Sequence, residues 1–192
     1  MPTTIVLVRH GETDWNRERR FQGHADTPLN EAGRSQASEL AELFRGEPVT
    51  AIYTSPLRRA SETAEILADK LGIEARPHEA LREIDVGTWE GLTILDVKRR
   101  FPERVDQSWR AGWEDGETYE DLASRVVPAL LELGSKHADG QVLVVTHAGP
   151  IRAALAASMG LSHDDARPLI GPLANCAVHR FAVRDDNLAA VD

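Results

Sequence analysis

The sequence is short of several things, and each shortage narrows what the chain can be. Among 192 residues there is one cysteine, Cys176. An intrachain disulfide is thereby excluded, as is a cysteine-cluster zinc site. No set of histidines and carboxylates shows metal-ligand spacing, so neither a metal nor another cofactor is expected. Positive charge is in deficit, with 22 Lys and Arg against 31 Asp and Glu and a formal net charge of −9. That balance argues against non-specific nucleic-acid binding and against an anionic membrane surface. It leaves an anionic substrate open, because a small ligand feels the local arginines of a cleft. No basic leader precedes a long apolar core. Neither a secretory signal nor a membrane span is expected, and a cytoplasmic location is the default. Internal repeats, low-complexity tracts and linkers are also missing. The length suits a single domain, 1–192, with enough chain for a full core. A homodimer is compatible with the sequence, which carries no pattern that sets the oligomeric state.

What is present is a pair of apolar runs that end alike. Ile5-Val6-Leu7-Val8 leads into Arg9-His10-Gly11, and Val142-Leu143-Val144-Val145 leads into Thr146-His147-Ala148-Gly149. Continuous apolar runs of this length read as strands buried on both faces of a parallel sheet. Two such strands, each ending in His with Gly close behind, place two imidazoles at one sheet edge. The carboxyl edge is where open α/β sheets bind ligands. Either histidine alone reads most simply as structural. The duplication, with Arg9 beside His10, points to a site.

The rest of the chain alternates. Asn30 is placed as the N-cap of a helix carrying Ala37, Leu40, Ala41, Leu43 and Phe44. Ala51 to Thr54 reads as a second strand. Ser55-Pro56 reads as the N-cap and first residue of a helix whose apolar face is Ala60, Ala64, Leu67, Ala68 and Leu71. Residues 73–78 are a weak third strand. The stretch 92–116 reads as short helical pieces in which Trp109 and Trp113 serve a lid or the core. Thr118 and Asp121 resemble a capping box ahead of a helix with Leu122, Val126, Leu130 and Leu133, which Pro128 is expected to bend. Gly149-Pro150 opens an alanine-rich helix, and Cys176 to Val183 reads as the last strand. The expected fold is α/β, a three-layer α/β/α sandwich with a mainly parallel sheet.

This topology gathers a chemistry. Arg9, His10 and His147 lie at strand ends. Arg58 falls in the first turn of the helix after Ser55-Pro56, where the positive helix end adds to its charge. Glu83 sits in the apolar loop 81–91, with Glu79, Asp85 and Glu90 as rival carboxylates. Arginine and helix N-termini hold phosphate or carboxylate. Two histidines and a glutamate offer a nucleophile, a stabiliser and a proton donor. Flanking arginines should keep His10 neutral. An acceptor must hold its second ring nitrogen, and the sequence does not name it. Asn16 serves either a turn or the site. His24, directly after Gln22-Gly23, is the other histidine placed to matter.

The blocks Arg9-His10-Gly11-Glu12-Thr13 with Trp15-Asn16, Gln22-Gly23 with Asp26, Pro28 and Leu29, Ser55-Pro56-Leu57-Arg58-Arg59-Ala60 with Thr63-Ala64, Glu83 with Gly87 and Trp89-Glu90-Gly91, and Thr146-His147-Ala148-Gly149 occur in this order. Together they resemble the histidine phosphatase superfamily, whose fold is phosphoglycerate mutase-like. The resemblance implies a metal-independent phosphomonoester hydrolase acting on a small phosphorylated metabolite. It implies that His10 becomes a phosphohistidine, that Glu83 donates the proton, and that Arg9, Arg58, Asn16 and His147 hold the phosphate. Gln22 and Gly23 resemble substrate contacts. Between Glu83 and His147, and at the C-terminus, the chain is shorter than the glycolytic mutases, which favours hydrolysis over mutase chemistry. A non-catalytic phospho-ligand sensor would need only the cations, so the joint presence of His10, Glu83 and His147 speaks against it.

Overall fold

A computed structural model describes residues 3–103, 113, 115–137, 139–184 and 186–191. In chain order the elements are β1 (Thr4–Arg9), α1 (Asp14–Arg17), α2 (Glu31–Leu43), β2 (Val49–Thr54), α3 (Arg58–Leu71), β3 (Ala75–Pro77) and α4 (Ile94–Arg100). There follow α5 (Tyr119–Lys136), β4 (Gln141–Thr146), α6 (Ala148–Met159), α7 (His163–Ala166), β5 (Val178–Arg184) and β6 (Asn187–Val191). The six strands form one sheet in the order β3-β2-β4-β1-β5-β6. β3, β2, β4 and β1 run parallel, and β5 and β6 complete the sheet antiparallel.

The two apolar runs lie side by side, with Ile5 opposite Val142 and Val8 opposite Val145. Successive strand residues point to opposite faces. Ile5, Leu7, Val142 and Val144 therefore enter one core with Leu122, Val126 and Leu130 of α5 and Ile151 of α6. Val6, Val8, Leu143 and Val145 enter the other with Leu40 of α2 and Ala60, Ala64 and Leu67 of α3. Helices on both faces explain why these strands show no polar alternation, and they give the three layers.

Local signals agree with the architecture in several places. The Asn30 side chain caps α2 by accepting from the Gly33 amide, and Thr118 and Asp121 form a capping box on α5. α5 is assigned as one helix through Pro128. Two readings are corrected. The last strand of the sequence reading begins at Val178 rather than Cys176, and a hairpin partner, β6, follows it. β6 buries only Leu188 deeply, too little pattern to read as a strand. Helix α3 starts at Arg58 with Leu57 as its N-cap and no side-chain cap, so Ser55-Pro56 lies before it. Trp113 is 5% exposed and belongs to the core, whereas Trp109 lies outside the described residues. Among the described residues, no helix is long and apolar enough to cross a membrane.

One close approach ties the first catalytic candidate to the scaffold. A Cβ on Gly11 would lie 2.5 Å from the Gly33 carbonyl oxygen, and one on Gly33 would lie 2.1 Å from that of Glu12. Only paired glycines let the loop after β1 rest against the first turn of α2.

Candidate active site

The carboxyl ends of the three central parallel strands converge. β1 delivers His10, β4 delivers His147 and β2 delivers Ser55, and all three side chains are buried. The two imidazoles pack together, with ring centroids 5.2 Å apart and planes tilted by 59°. A pocket of roughly 230 Å³ opens above His10, while the fully buried His147 is not part of its lining. The lining includes Arg9, His10, Asn16, Gln22, Gly23, Arg59, Glu83 and Arg152.

His10 is held in one orientation. Its Nδ1 lies 2.7 Å from the Gly11 carbonyl oxygen. A carbonyl can only accept, so the proton of the neutral ring sits on Nδ1 and Nε2 carries the lone pair. The acceptor that the sequence leaves unnamed is thus the next peptide group. Burial, then Arg59 and Arg9, hold the His10 pKa well below its ordinary 6.5 against a weaker opposing pull from the Gly11 carbonyl. His147 is lowered likewise, by burial first and then by Arg59, His10 and Arg9. Its Nε2 lies 2.8 Å from Ser55 Oγ, and its Nδ1 is buried without a hydrogen-bond partner.

The arginines require a correction. Arg9 lines the pocket as expected, and its Nη1 donates to the Leu173 carbonyl. Arg58 does not line it. Its side chain is 58% exposed and pairs with Glu62 at 2.6 Å. Arg59 takes the place in the pocket. It is fully buried, and its guanidinium donates to the carbonyls of Ala25 (2.7 Å) and Gly23 (2.8 Å). Burial above all lowers the Arg59 pKa, to about 10, and Arg9 adds to this while Glu83, Asp26 and Glu90 oppose it. The reason is helical phase. Residues 59, 60, 63, 64 and 67 form the buried face of α3, whereas Arg58 shares the outer face with Glu62. The apolar spacing of this helix already held that signal.

Glu83 faces the opposite wall. Its Oε1 accepts from the amides of Ile84 (2.9 Å) and Gly149 (3.0 Å). A Cβ on Gly149 would come within 2.2 Å of that oxygen, so this glycine makes room for the carboxylate. Gln22 Oε1 accepts from the hydroxyls of Thr13 (3.0 Å) and Thr27 (2.6 Å), which leaves the Nε2 group as its donor. Asn16 completes the capping box of α1 and lines the pocket. Its Oδ1 also accepts from Asn175, whose Nδ2 reaches the His10 carbonyl at 2.9 Å. No local pattern marks Asn175 or Arg152 as part of the site, because each is brought in by tertiary contact. His24 Nε2 lies 2.8 Å from the Glu83 carbonyl oxygen. Among the described residues, no group of three or more His, Cys, Asp or Glu side chains is arranged to hold a metal ion.

The buried histidines make stability pH-dependent with a definite sign. The folded pKa values lie below the unfolded 6.5, so the unfolded chain takes up protons first as pH falls. Stability is full above about pH 6.5 and is lost below it, by about 1 kcal/mol per histidine at one pH unit lower. Urea titrations at pH 7.5 and 5.5 should show a smaller loss in His10→Gln than in the wild type. An equal loss would contradict the buried neutral ring.

Fold and pocket define an α/β protein with His10, Arg9 and Arg59 lining a pocket at the carboxyl edge of its parallel strands. The sequence model of the histidine phosphatase superfamily (branch 1) matches residues 5–192, and the chain belongs to that family. It is 36% identical over 184 residues to a glucosyl-3-phosphoglycerate phosphatase of Mycolicibacterium vanbaalenii, covering 90% of this chain and 81% of that one. It is 38% identical over 158 residues to a metal-independent phosphoserine phosphatase of Arabidopsis thaliana, covering 79% and 66%. The solved structure of a mycobacterial glucosyl-3-phosphoglycerate phosphatase complexed with VO3 superposes with a TM-score of 0.88 at 32% identity, covering 98% of this chain and 96% of that one.

Proposed function

We propose that this chain hydrolyses the phosphomonoester of a small metabolite through a phosphohistidine on His10, with Glu83 as proton donor. The observation that carries the reading is the state of His10, a buried neutral ring whose Nδ1 is bound to the Gly11 carbonyl, between Arg9 and Arg59. Phosphoryl transfer asks for in-line positioning and for donors around the equatorial oxygens. Nε2 of His10 attacks phosphorus as the bond to the leaving oxygen breaks. Arg9, Arg59 and His147 stabilise the charge on the transferring group. With the Ser55 hydroxyl donating a hydrogen bond to His147 Nε2, the neutral ring carries its proton on Nδ1, which can donate to a phosphoryl oxygen. Glu83 gives its proton to the leaving alkoxide. It then takes one from water, whose oxygen attacks the phosphohistidine to release inorganic phosphate and restore His10. The names of the two relatives, both phosphatases of phosphorylated small molecules, support this class of substrate.

The guanidinium groups supply the positive charge that a metal supplies in other phosphatases. A mutase would need a further basic cluster to retain a doubly phosphorylated intermediate. Lys98, Arg99 and Arg100 of α4 are exposed, none of them lines the pocket, and Arg99 pairs with Asp96. Arg104 and Arg110 lie outside the described residues. A panel of phosphate monoesters assayed in EDTA tests the reading, and it includes 3-phosphoglycerate with trace bisphosphate. Phosphate release should survive chelation, with little 2-phosphoglycerate formed. Metal-restored activity would overturn metal independence. Isomer formation above phosphate release would mark a mutase, and phosphate binding without any turnover would mark a sensor.

A further inference from the structure

The loop that carries Glu83 has little regular structure of its own. Short 3-10 turns at Glu79–Leu81 and Gly87–Trp89 flank it. The amides that reach the Glu83 carboxylate orient the side chain but do not hold the loop backbone in place. The backbone is held by His24 Nε2, 2.8 Å from the Glu83 carbonyl oxygen, by Thr146 Oγ1, which donates to the Leu81 carbonyl at 2.7 Å, and most extensively from α5, by Arg125. Its Nη1 donates to the carbonyls of Ala80 (2.8 Å) and Arg82 (2.9 Å), and its Nη2 donates to the carbonyl of Glu83 itself (2.9 Å). The other edge of the guanidinium meets Glu117, with Nε to Oε1 at 2.7 Å and Nη2 to Oε2 at 2.8 Å. Glu117 Oε2 in turn accepts from the Asp85 amide at 3.0 Å.

One guanidinium therefore grips the main chain on both sides of Glu83, at 80, 82 and 83 directly and at 85 through Glu117. Both side chains are about three-quarters buried, at 23% and 24% exposure. Burial pushes the Glu117 carboxyl up, but hydrogen bonds from Arg125 and the Asp85 amide outweigh it and hold the pKa below the ordinary value. The platform is firm, because Leu122, Val126 and Leu130 of the same helix are fully buried. Lysine cannot replace this arrangement, since three donors on one nitrogen do not reach three carbonyls and both oxygens of a carboxylate.

The geometry points to Arg125 as the positioning residue of the proton donor, acting on Glu83 through the loop backbone. This rests on the reading of Glu83 as the donor. A general acid must sit within hydrogen-bond reach of the leaving oxygen, and a misplacement of about 1 Å can cost about 100-fold.

The test compares an alkyl phosphate, whose leaving group needs a proton, with p-nitrophenyl phosphate, whose leaving group hardly does. Glu83→Gln, Arg125→Lys, Glu117→Gln and the double variant Glu83→Gln/Arg125→Lys are measured alongside the wild type. Each single variant should lose kcat/KM on the alkyl phosphate by at least about 10-fold more than on p-nitrophenyl phosphate. In the Glu83→Gln background, Arg125→Lys should add little. Equal losses on both substrates in the Arg125 and Glu117 variants would make the pair merely structural. An undiminished Arg125→Lys effect without the Glu83 acid would also overturn the proposal. If Glu83→Gln itself shows no substrate selectivity, the donor assignment falls instead. Should Arg125→Lys fail to fold, Glu117→Gln, which keeps shape and removes one charge, is read by the same criteria.

Discussion

His10→Ala should abolish turnover, with a loss of at least about 10³-fold, and with it a phosphoryl group trapped on the wild-type chain. The neutral His10 ring presents one lone pair, on Nε2, because Nδ1 is committed to the Gly11 carbonyl. Rapid quench with labelled substrate should therefore yield an acid-labile, base-stable phosphoenzyme, as expected for a phosphoramidate. The adduct should be missing in His10→Ala, while that variant still binds vanadate through Arg9 and Arg59. A label on Ser55, or an acid-stable adduct, would overturn the mechanism.

The second large effect separates two neighbouring arginines. Arg59→Met should lower kcat/KM by about 10²–10³-fold, the scale seen when one preorganised donor to transition-state charge is removed. Arg58→Met should change it by no more than about 2-fold, since an exposed ion pair such as Arg58–Glu62 contributes little. Arg59→Lys should recover only part of the loss, because the ammonium cannot serve the Gly23 and Ala25 carbonyls and a phosphoryl oxygen at once. Arg59 also anchors the loop that carries Gly23, so melting temperature and vanadate affinity must be measured beside the rate. Comparable losses at 58 and 59 would show that helical phase does not select the phosphate ligand. A rate loss in Arg59→Met that follows melting temperature, with vanadate affinity intact, would make Arg59 a structural residue.

The contrast between these arginines shows what could be read early. The strand ends were legible because a strand buried on both faces leaves an uninterrupted apolar run, and such runs stop where the chain leaves the sheet. His10, His147 and Arg9 follow from that alone. Asn30 and Thr118 were legible as caps because a cap is a local hydrogen bond. Arg59 was within reach, because adjacent helix residues point about 100° apart and Arg59, not Arg58, falls on the face of Ala60, Ala64 and Leu67. The Ser55 hydroxyl reads as a cap in sequence, whereas in the fold it meets His147 across 92 residues.

By itself, the amino-acid order determined the layers, the central strands and the two imidazoles at one edge, since each depends on short-range periodicity and on burial demanded by apolar side chains. Only the tertiary structure decided which nitrogen of His10 is free, which arginine faces the pocket and what holds Glu83. The partners in those choices are the Gly11 carbonyl, the buried face of α3 and a guanidinium on α5 that is 42 residues away from Glu83. Hydrogen bonds of that kind are directional and specific to about 1 Å. Their geometry appears only when the sheet and its helices have packed.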